Sequence, residues 1–167
     1  MRAEDPIDAM QRAWQTERPG TSVAPMAVLT RIQLVAKLVE DDHRRVVAAL
    51  GLDAATRDLL STLRRSGPPY RLAAGELARR SLLSAGAISQ RVARAERQGL
   101  VRRSRSASDG RGVSVELTPD GHELIERVLD ALLEREEGLL SALSARQRDD
   151  LARLLRALLL DLADRLG

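Results

Sequence analysis

The chain of 167 residues contains no cysteine and no phenylalanine, and it has only one tryptophan and one tyrosine. Without cysteine it can form neither disulfides nor thiolate metal sites, and a cysteine nucleophile is excluded. With so few aromatic rings the core must be built from aliphatic side chains, which favours helices, and stacking platforms for single-stranded nucleic acid are not expected. The longest apolar runs are too short to span a bilayer and no signal peptide is recognisable, so the sequence predicts a cytoplasmic protein without membrane contacts.

Catalytic signatures are also missing. His43 and His122 are the only imidazoles, no nucleophile elbow or phosphate-binding loop occurs, and no carboxylate pair is placed for acid–base chemistry. The acidic run from Glu40 to Asp42 beside His43 makes a poor metal site, because adjacent positions on a helix point in different directions. The sequence therefore predicts that the protein is not an enzyme and uses neither a metal nor another cofactor.

Positive charge is concentrated in one segment of the chain. Between Arg79 and Arg111 there are nine arginines and two acids, Glu96 and Asp109, a net charge of +7, whereas the whole chain carries +3 and the remainder therefore −4. A charge imbalance confined to one module is typical of phosphate binding and not of an ordinary soluble surface. We therefore expect double-stranded DNA as the partner of this segment, with an acidic protein partner bound by a winged-helix scaffold as the alternative.

The apolar periodicity predicts a mainly helical protein with a small β-hairpin, divided into three parts. Residues 1–50 are expected to hold two N-terminal helices, the first capped by Asp5 and the second starting near Pro25. Residues 51–120 are expected to form a winged helix-turn-helix domain, and residues 121–167 two leucine-rich helices. The first of these follows Thr118-Pro119 and should have about five turns, and a capping box of Ser144 and Gln147 starts the second. The apolar faces of the N- and C-terminal helices are too wide for so small a domain to cover, so the pattern predicts a homodimer formed through them.

The predicted DNA-reading unit starts with a short helix over residues 75–80 and a turn over 81–83, and Ser84 caps the second helix. Its inward stripe consists of apolar residues at helical spacing: Ile88, Val92 and Ala95. Strands over 100–105 and 113–117 then flank a turn and form the wing.

The candidate DNA contacts lie on the second helix and on the wing: Ser84, Ser89, Gln90, Arg94, Arg97, Arg102, Arg105, Asp109 and Arg111. On the helix, Ser89, Gln90 and Arg94 are the candidate base readers, because amide and guanidinium groups suit purine edges. On the wing, Arg111 is expected to contact DNA next to Asp109, although the pair also fits an ordinary turn with a solvated arginine. Two of the three arginines at 102, 103 and 105 share a strand face, and some of the three are expected to contact phosphates.

Five segments carry a resemblance to a known family: Gly-Glu-Leu-Ala-Arg-Arg (75–80), Ser-Ala-Gly-Ala-Ile-Ser-Gln-Arg (84–91), Gly-Leu-Val-Arg-Arg (99–103), Asp-Gly-Arg-Gly (109–112) and Leu-Thr-Pro-Asp-Gly (117–121). In their order and spacing the chain resembles the MarR family of bacterial dimeric winged-helix transcription factors over nearly its whole length. The resemblance implies a repressor whose second helix, here Ser84 to Arg97, enters the major groove. It also implies that a wing arginine, here Arg111, reaches the minor groove.

The first forty residues are similar to one branch of that family, which has an extra N-terminal helix with a tryptophan and a following Glu-Arg-Pro, here Trp14 and residues 17–19. This resemblance implies a response to a small anionic metabolite, a urate- or xanthine-like purine or a carboxylate. The implied effector site consists of four residues: Trp14, Asp58, Arg91 and Arg103. The chain departs from the branch at Arg57, where an aromatic residue is usual, and at Gly20, where an aspartate is usual.

Three of these residues also have simpler interpretations. Arg91 can form an ion pair with Asp58, which an effector anion would join or compete with, and Trp14 can act as a hydrophobic staple between the extra helix and the body of the protein. His43 faces the apolar stripe of the second helix, where it is either a neutral, hydrogen-bonded interface histidine or a pH sensor. As a sensor it would meet its symmetry mate across the dimer axis, and protonation in mild acid would loosen DNA binding through like-charge repulsion.

Overall fold

The computed structural model of the chain describes residues 4–105 and 113–166. Over these ranges it contains seven helices and three strands: α1 (Pro6–Glu17), α2 (Ala24–Ala49), α3 (Ala54–Arg64), β1 (Arg71–Ala73), α4 (Ala74–Arg80), α5 (Ala85–Arg97), β2 (Val101–Arg105), β3 (Val113–Leu117), α6 (Pro119–Leu139) and α7 (Ala145–Leu166). None of these helices combines the length and the apolar composition that a membrane crossing requires. Contacts within the chain separate it into two compact units, residues 1–54 and residues 55–167.

The N-terminal unit is built on the packing of α1 against α2. Asp5 caps α1 as predicted, since its Oδ1 accepts the N–H groups of Ile7 at 2.8 Å and Asp8 at 3.1 Å. The Asp8 side chain in turn accepts the N–H of Asp5, which completes a capping box. Arg31 of α2 reaches both carboxylates, at 2.7 Å from Asp5 and 2.6 Å from Asp8. Hydrogen bonding to Arg31 lowers the pKa of Asp5, so this clamp between the helices stays charged at neutral pH.

The second unit contains a three-stranded antiparallel sheet in the order β1-β3-β2. β3 pairs with both neighbours, so that Glu116 lies opposite Arg71 on one side and Arg102 on the other. The sequence predicted only the two-stranded wing hairpin. The third strand, β1, is three residues long, which is too short for an alternating pattern to reveal it.

The core of this unit is aliphatic, as the shortage of aromatic residues predicted. Its largest fully buried side chains come from α3, α4, the sheet and α6: Leu59, Leu60, Leu63, Leu77, Val101, Val115 and Val128. The α5 stripe packs onto the same core, because Ile88, Val92 and Ala95 are at most 3% exposed. Helix α5 is thereby held with one face buried and the other face turned to solvent.

Helices α4 and α5 end in the same kind of turn. After α4 the N–H of Leu83 bonds to the carbonyl of Ala78 at 3.0 Å, and the N–H of Leu82 bonds to that of Arg79 at 3.1 Å. This is the Schellman pattern, which requires a left-handed residue just beyond the helix. At α5 that residue is Gly99, with φ 74°, but at α4 it is Leu82, with φ 52° and 93% of its surface exposed. The turn of the helix-turn-helix therefore holds a leucine in a conformation that favours glycine.

Replacing Leu82 by glycine is expected to stabilise the protein by roughly 0.5–1 kcal/mol. A side chain in the left-handed region costs about 1–2 kcal/mol, and the greater freedom of glycine in the unfolded chain cancels only part of that gain. The measurement is the urea midpoint of Leu82→Gly against wild type, with Gly99→Ala as the matched variant that should lose stability. A lower midpoint for Leu82→Gly would contradict this account.

The last two helices start where the sequence predicted. The Thr118 hydroxyl accepts the N–H of Gly121 at 3.0 Å at the start of α6, and Ser144 and Gln147 form the predicted capping box of α7. Helix α6 has 21 residues, nearly six turns rather than the five expected. No residue of α7 is buried, and six of its leucines are between 41% and 80% exposed: Leu151, Leu154, Leu155, Leu159, Leu160 and Leu166.

Candidate nucleic-acid interface

The solvent face of α5 carries the predicted base-reading side chains. The Ser84 hydroxyl caps the helix by accepting the N–H of Ala87 at 3.2 Å. The five candidate contacts on this helix are all exposed: Ser84, Ser89, Gln90, Arg94 and Arg97. The small residues Ala85 and Gly86 are exposed as well, so the backbone of the first turn of α5 can come close to DNA.

On the wing, the charge of Arg102 is shared with Glu116, an acid outside the segment from Arg79 to Arg111 whose charges were counted. Arg102 Nη2 lies 2.8 Å from Glu116 Oε1, and Arg71 Nη2 lies 2.9 Å from Glu116 Oε2. Glu116 is only 8% exposed. Its pKa is lowered, chiefly by the hydrogen bond from Arg102 and against the effect of burial. The alternation of β3 could have indicated this site, because it puts Glu116 on the face opposite Val115 and Leu117.

The other wing candidates are only partly described. Arg105 is the last residue of β2, and its predicted contact with phosphate stays a prediction. Asp109 and Arg111 fall between residues 105 and 113, outside the described residues, so their predicted contacts with DNA stay predictions.

Arg103 joins the wing to α5. Its Nη2 donates to the carbonyl of Ser89 at 3.2 Å, and its Nε lies 3.4 Å from Glu96 Oε2. Beside this contact a mainly apolar pocket of about 200 Å³ opens between α5 and the sheet, and Ser89 and Arg103 belong to its lining. An arginine at the edge of an apolar pocket can bind a small anion with an apolar body.

The remaining effector candidates lie in different surroundings. Trp14 of the N-terminal unit is 46% exposed and borders a shallow pocket of about 210 Å³ together with Arg18. Asp58 forms its ion pair with its neighbour Arg57, at 2.9 Å, and not the alternative pair with Arg91. Arg91 is half-buried on α5, and no ion pair of this residue is found in residues 4–105 and 113–166. The predicted effector role of these residues stays a prediction.

His43 is half-buried on α2, and its predicted role as a pH sensor stays a prediction. If DNA affinity is the same in mildly acidic and in neutral buffer, after allowance for general charge effects, His43 has no such role.

Comparison with known proteins gives a consistent assignment. Residues 50–112 match the model of the MarR family. The HTH-type transcriptional regulator PecS of Dickeya dadantii is 32% identical over 149 residues, which cover 89% of this chain and 90% of PecS.

Solved structures of the same fold extend over most of the chain. Wild-type MarR from E. coli in its apo form aligns with a TM-score of 0.68 at 25% identity, covering 78% of this chain and 96% of that one. A MarR family protein from Bacillus stearothermophilus aligns with a TM-score of 0.72 at 23% identity, covering 86% and 99%. MarR-family regulators bind DNA and act as dimers. The chain belongs to the MarR family of winged helix-turn-helix proteins and is a DNA-binding transcription regulator, not an enzyme.

Proposed function

We propose that this regulator is a ligand-responsive repressor that binds a pseudo-palindromic operator as a homodimer, with one α5 in each of two adjacent major grooves. The observation that carries the proposal is the solvent face of α5. Hydroxyl, amide and guanidinium groups project from a helix whose opposite face is held by the core, and the surrounding segment carries a net charge of +7. Such a helix can approach phosphates and bases without rearrangement.

A dimer supplies the spacing that a two-fold operator needs. Consecutive major grooves on one side of B-DNA are about 34–36 Å apart, so two copies of α5 must be held at that distance. Five of the six exposed leucines of α7, all but Leu160, lie on one side of the helix and support such an assembly, because a soluble monomer rarely leaves so wide an apolar face in water.

The effector of the proposal is a small anion, either a urate- or xanthine-like purine or a carboxylate, bound by Trp14, Asp58, Arg91 and Arg103. Two observations support an anion. Arg91 has no ion pair within the described part of the chain, and Arg103 borders an apolar pocket. An anion at Arg103 would compete with Glu96 and would also remove positive charge from the DNA-binding unit, so it would weaken DNA binding.

Binding to a duplex enriched by the wild-type protein from a random-sequence pool tests the DNA-binding part. We expect a preference of at least about 10³-fold over a scrambled duplex and a steep loss of affinity with salt. Gln90→Ala and Arg94→Ala should change the preferred bases, at about 1–3 kcal/mol for each contact, whereas Arg111→Ala should weaken all duplexes about equally. Equal affinity for both duplexes would contradict a sequence-specific regulator, and no duplex binding at low salt would favour the scaffold that binds an acidic protein.

Thermal unfolding in the presence of purines and small carboxylates tests the effector part. A ligand at about 100 times its Kd stabilises the folded state by about 2.7 kcal/mol, which corresponds to a rise in Tm of several degrees. This rise should disappear in Arg91→Ala, whose Tm without ligand serves as the control for a change in fold. A ligand that stabilises wild type and Arg91→Ala equally would place the effector elsewhere.

A further inference from the structure

One carboxylate holds the wing to α5. Glu96 Oε1 accepts the backbone N–H of Arg103 at 3.2 Å, and Glu96 Oε2 lies 3.4 Å from Nε of the same arginine. The Nη2 of Arg103 donates to the Ser89 carbonyl at 3.2 Å. Arg103 thus contacts α5 at two places separated by about two helical turns.

The position of β2 in the sheet explains why this contact matters. In the order β1-β3-β2, β2 is an edge strand, and within residues 4–105 and 113–166 no strand lies beside its outer row of backbone groups. At Arg103 the side chain of Glu96, which belongs to α5, takes the part of a neighbouring strand, because it accepts the backbone N–H of Arg103. The base of the wing is therefore attached to α5 through its backbone as well as through a flexible side chain.

We propose that Glu96 is a positioning residue for DNA reading, which fixes the wing relative to α5 so that both meet the duplex in one geometry. Two binding elements held in fixed relation bind DNA more tightly than the same elements moving independently, because less freedom is lost when the second element binds. The inference rests on the proposed sequence-specific DNA binding. It identifies the residue that keeps α5 and the wing aligned for that binding.

Electrostatics alone predicts the opposite effect for this residue. Glu96 is one of only two acids between Arg79 and Arg111, and a carboxylate in that segment repels DNA phosphates. If Glu96 acted only through its charge, its removal would strengthen binding to every duplex. A loss of affinity on removing a negative charge would therefore identify the positioning role.

The test compares Glu96→Ala and Glu96→Gln with matched substitutions of Glu76. Glu76 belongs to the same unit and pairs with Arg79 and Arg80, but all three residues lie on α4, so this carboxylate joins no separate elements. Each substitution removes one negative charge. Affinity is measured for the duplex enriched by the wild-type protein and for its scrambled version, at one salt concentration, and circular dichroism checks the fold of each variant.

We expect Glu96→Ala to bind the enriched duplex about tenfold more weakly than wild type, with unchanged or tighter binding to the scrambled duplex. Glu96→Gln should lose less, about threefold, because its amide oxygen can still accept the Arg103 N–H. The Glu76 variants should bind both duplexes as well as wild type or better, and their preference should be unchanged. Hydroxyl-radical footprints of Glu96→Ala should lose protection in the minor groove that the wing is expected to reach and keep it on both sides of the major groove that α5 occupies.

The proposal is overturned if the Glu96 variants keep the wild-type preference between the two duplexes, or if the Glu76 variants lose it to the same degree. If Glu96→Ala fails to fold, the milder Glu96→Gln decides between these results. A wild-type protein that does not distinguish the two duplexes would instead contradict the proposed function, so the two failures can be told apart.

Discussion

A Gly121→Ala variant is expected to lose about 3 kcal/mol or more of stability, although the change adds a single methyl group. Gly121 lies in the first turn of α6, and a Cβ at this position would be 1.9 Å from the carbonyl oxygen of Leu100 and 2.8 Å from its carbon. Both are backbone atoms of the turn between α5 and β2, so no side chain can move aside to make room. Glycine is required at position 121 because a side chain has no room there, and not because of the backbone conformation.

The neighbouring hydrogen bonds show what the methyl group would displace. The Thr118 N–H donates to the Leu100 carbonyl at 3.1 Å, and the Thr118 hydroxyl donates to the Gly99 carbonyl at 2.7 Å. These bonds hold the start of α6 against the turn between α5 and β2. An alanine at 121 would push the two apart and weaken both bonds, which adds the loss of hydrogen bonding to the steric cost.

Gly138→Ala provides the control for this prediction, since it makes the same substitution in the same helix. A Cβ at Gly138 would have no neighbouring atom within 4 Å, so alanine there should stabilise α6 by about 0.5–1 kcal/mol. Urea unfolding followed by circular dichroism, at one protein concentration, measures both variants. A Gly121→Ala midpoint equal to that of wild type would show that the close contact with Leu100 is relaxed without cost.

The sequence predicted the helix-turn-helix well because its signals are local. A hydroxyl at Ser84 caps α5 and one at Thr118 caps α6, and the residues that bond to them are three positions along the chain. Helical spacing alone identified the buried stripe of α5. Such features depend on short stretches of chain, so they can be recognised without knowing what surrounds them.

Contacts between distant parts of the chain could not be predicted in this way. Glu116 is shared by Arg71 and Arg102, which approach it from the two opposite strands of the sheet. The requirement for glycine at position 121 likewise arises from a turn about twenty residues earlier, which no pattern around position 121 reveals. The count of charged residues predicted that the DNA-binding unit carries a positive net charge. It overstated how much of this charge can contact phosphates, because Arg102 forms an ion pair with Glu116.

Replacing two leucines of α7 by glutamate, Leu155→Glu together with Leu159→Glu, is expected to convert the proposed dimer into a monomer. The two side chains follow each other at helical spacing and are 41% and 68% exposed in the single chain. Burying two carboxylates in a leucine interface without partners is strongly unfavourable, whereas in the monomer the same groups remain in water. The fold of each chain should therefore survive, because α7 has no buried residue in the single chain.

The loss of the dimer should weaken operator binding by about 10²–10⁴-fold, because the second α5 then binds as a separate molecule and not as part of an attached pair. Light scattering after size exclusion gives the mass, and binding to the enriched duplex gives the affinity. Leu160→Glu, compared with Leu159→Glu alone, is the matched control, since Leu160 is 62% exposed but lies about 100° round the helix from Leu159. If the double variant stays a dimer at micromolar concentration, or Leu160→Glu disrupts the dimer equally, the stripe through Leu155 and Leu159 is not the interface that sets the spacing of the two α5 helices.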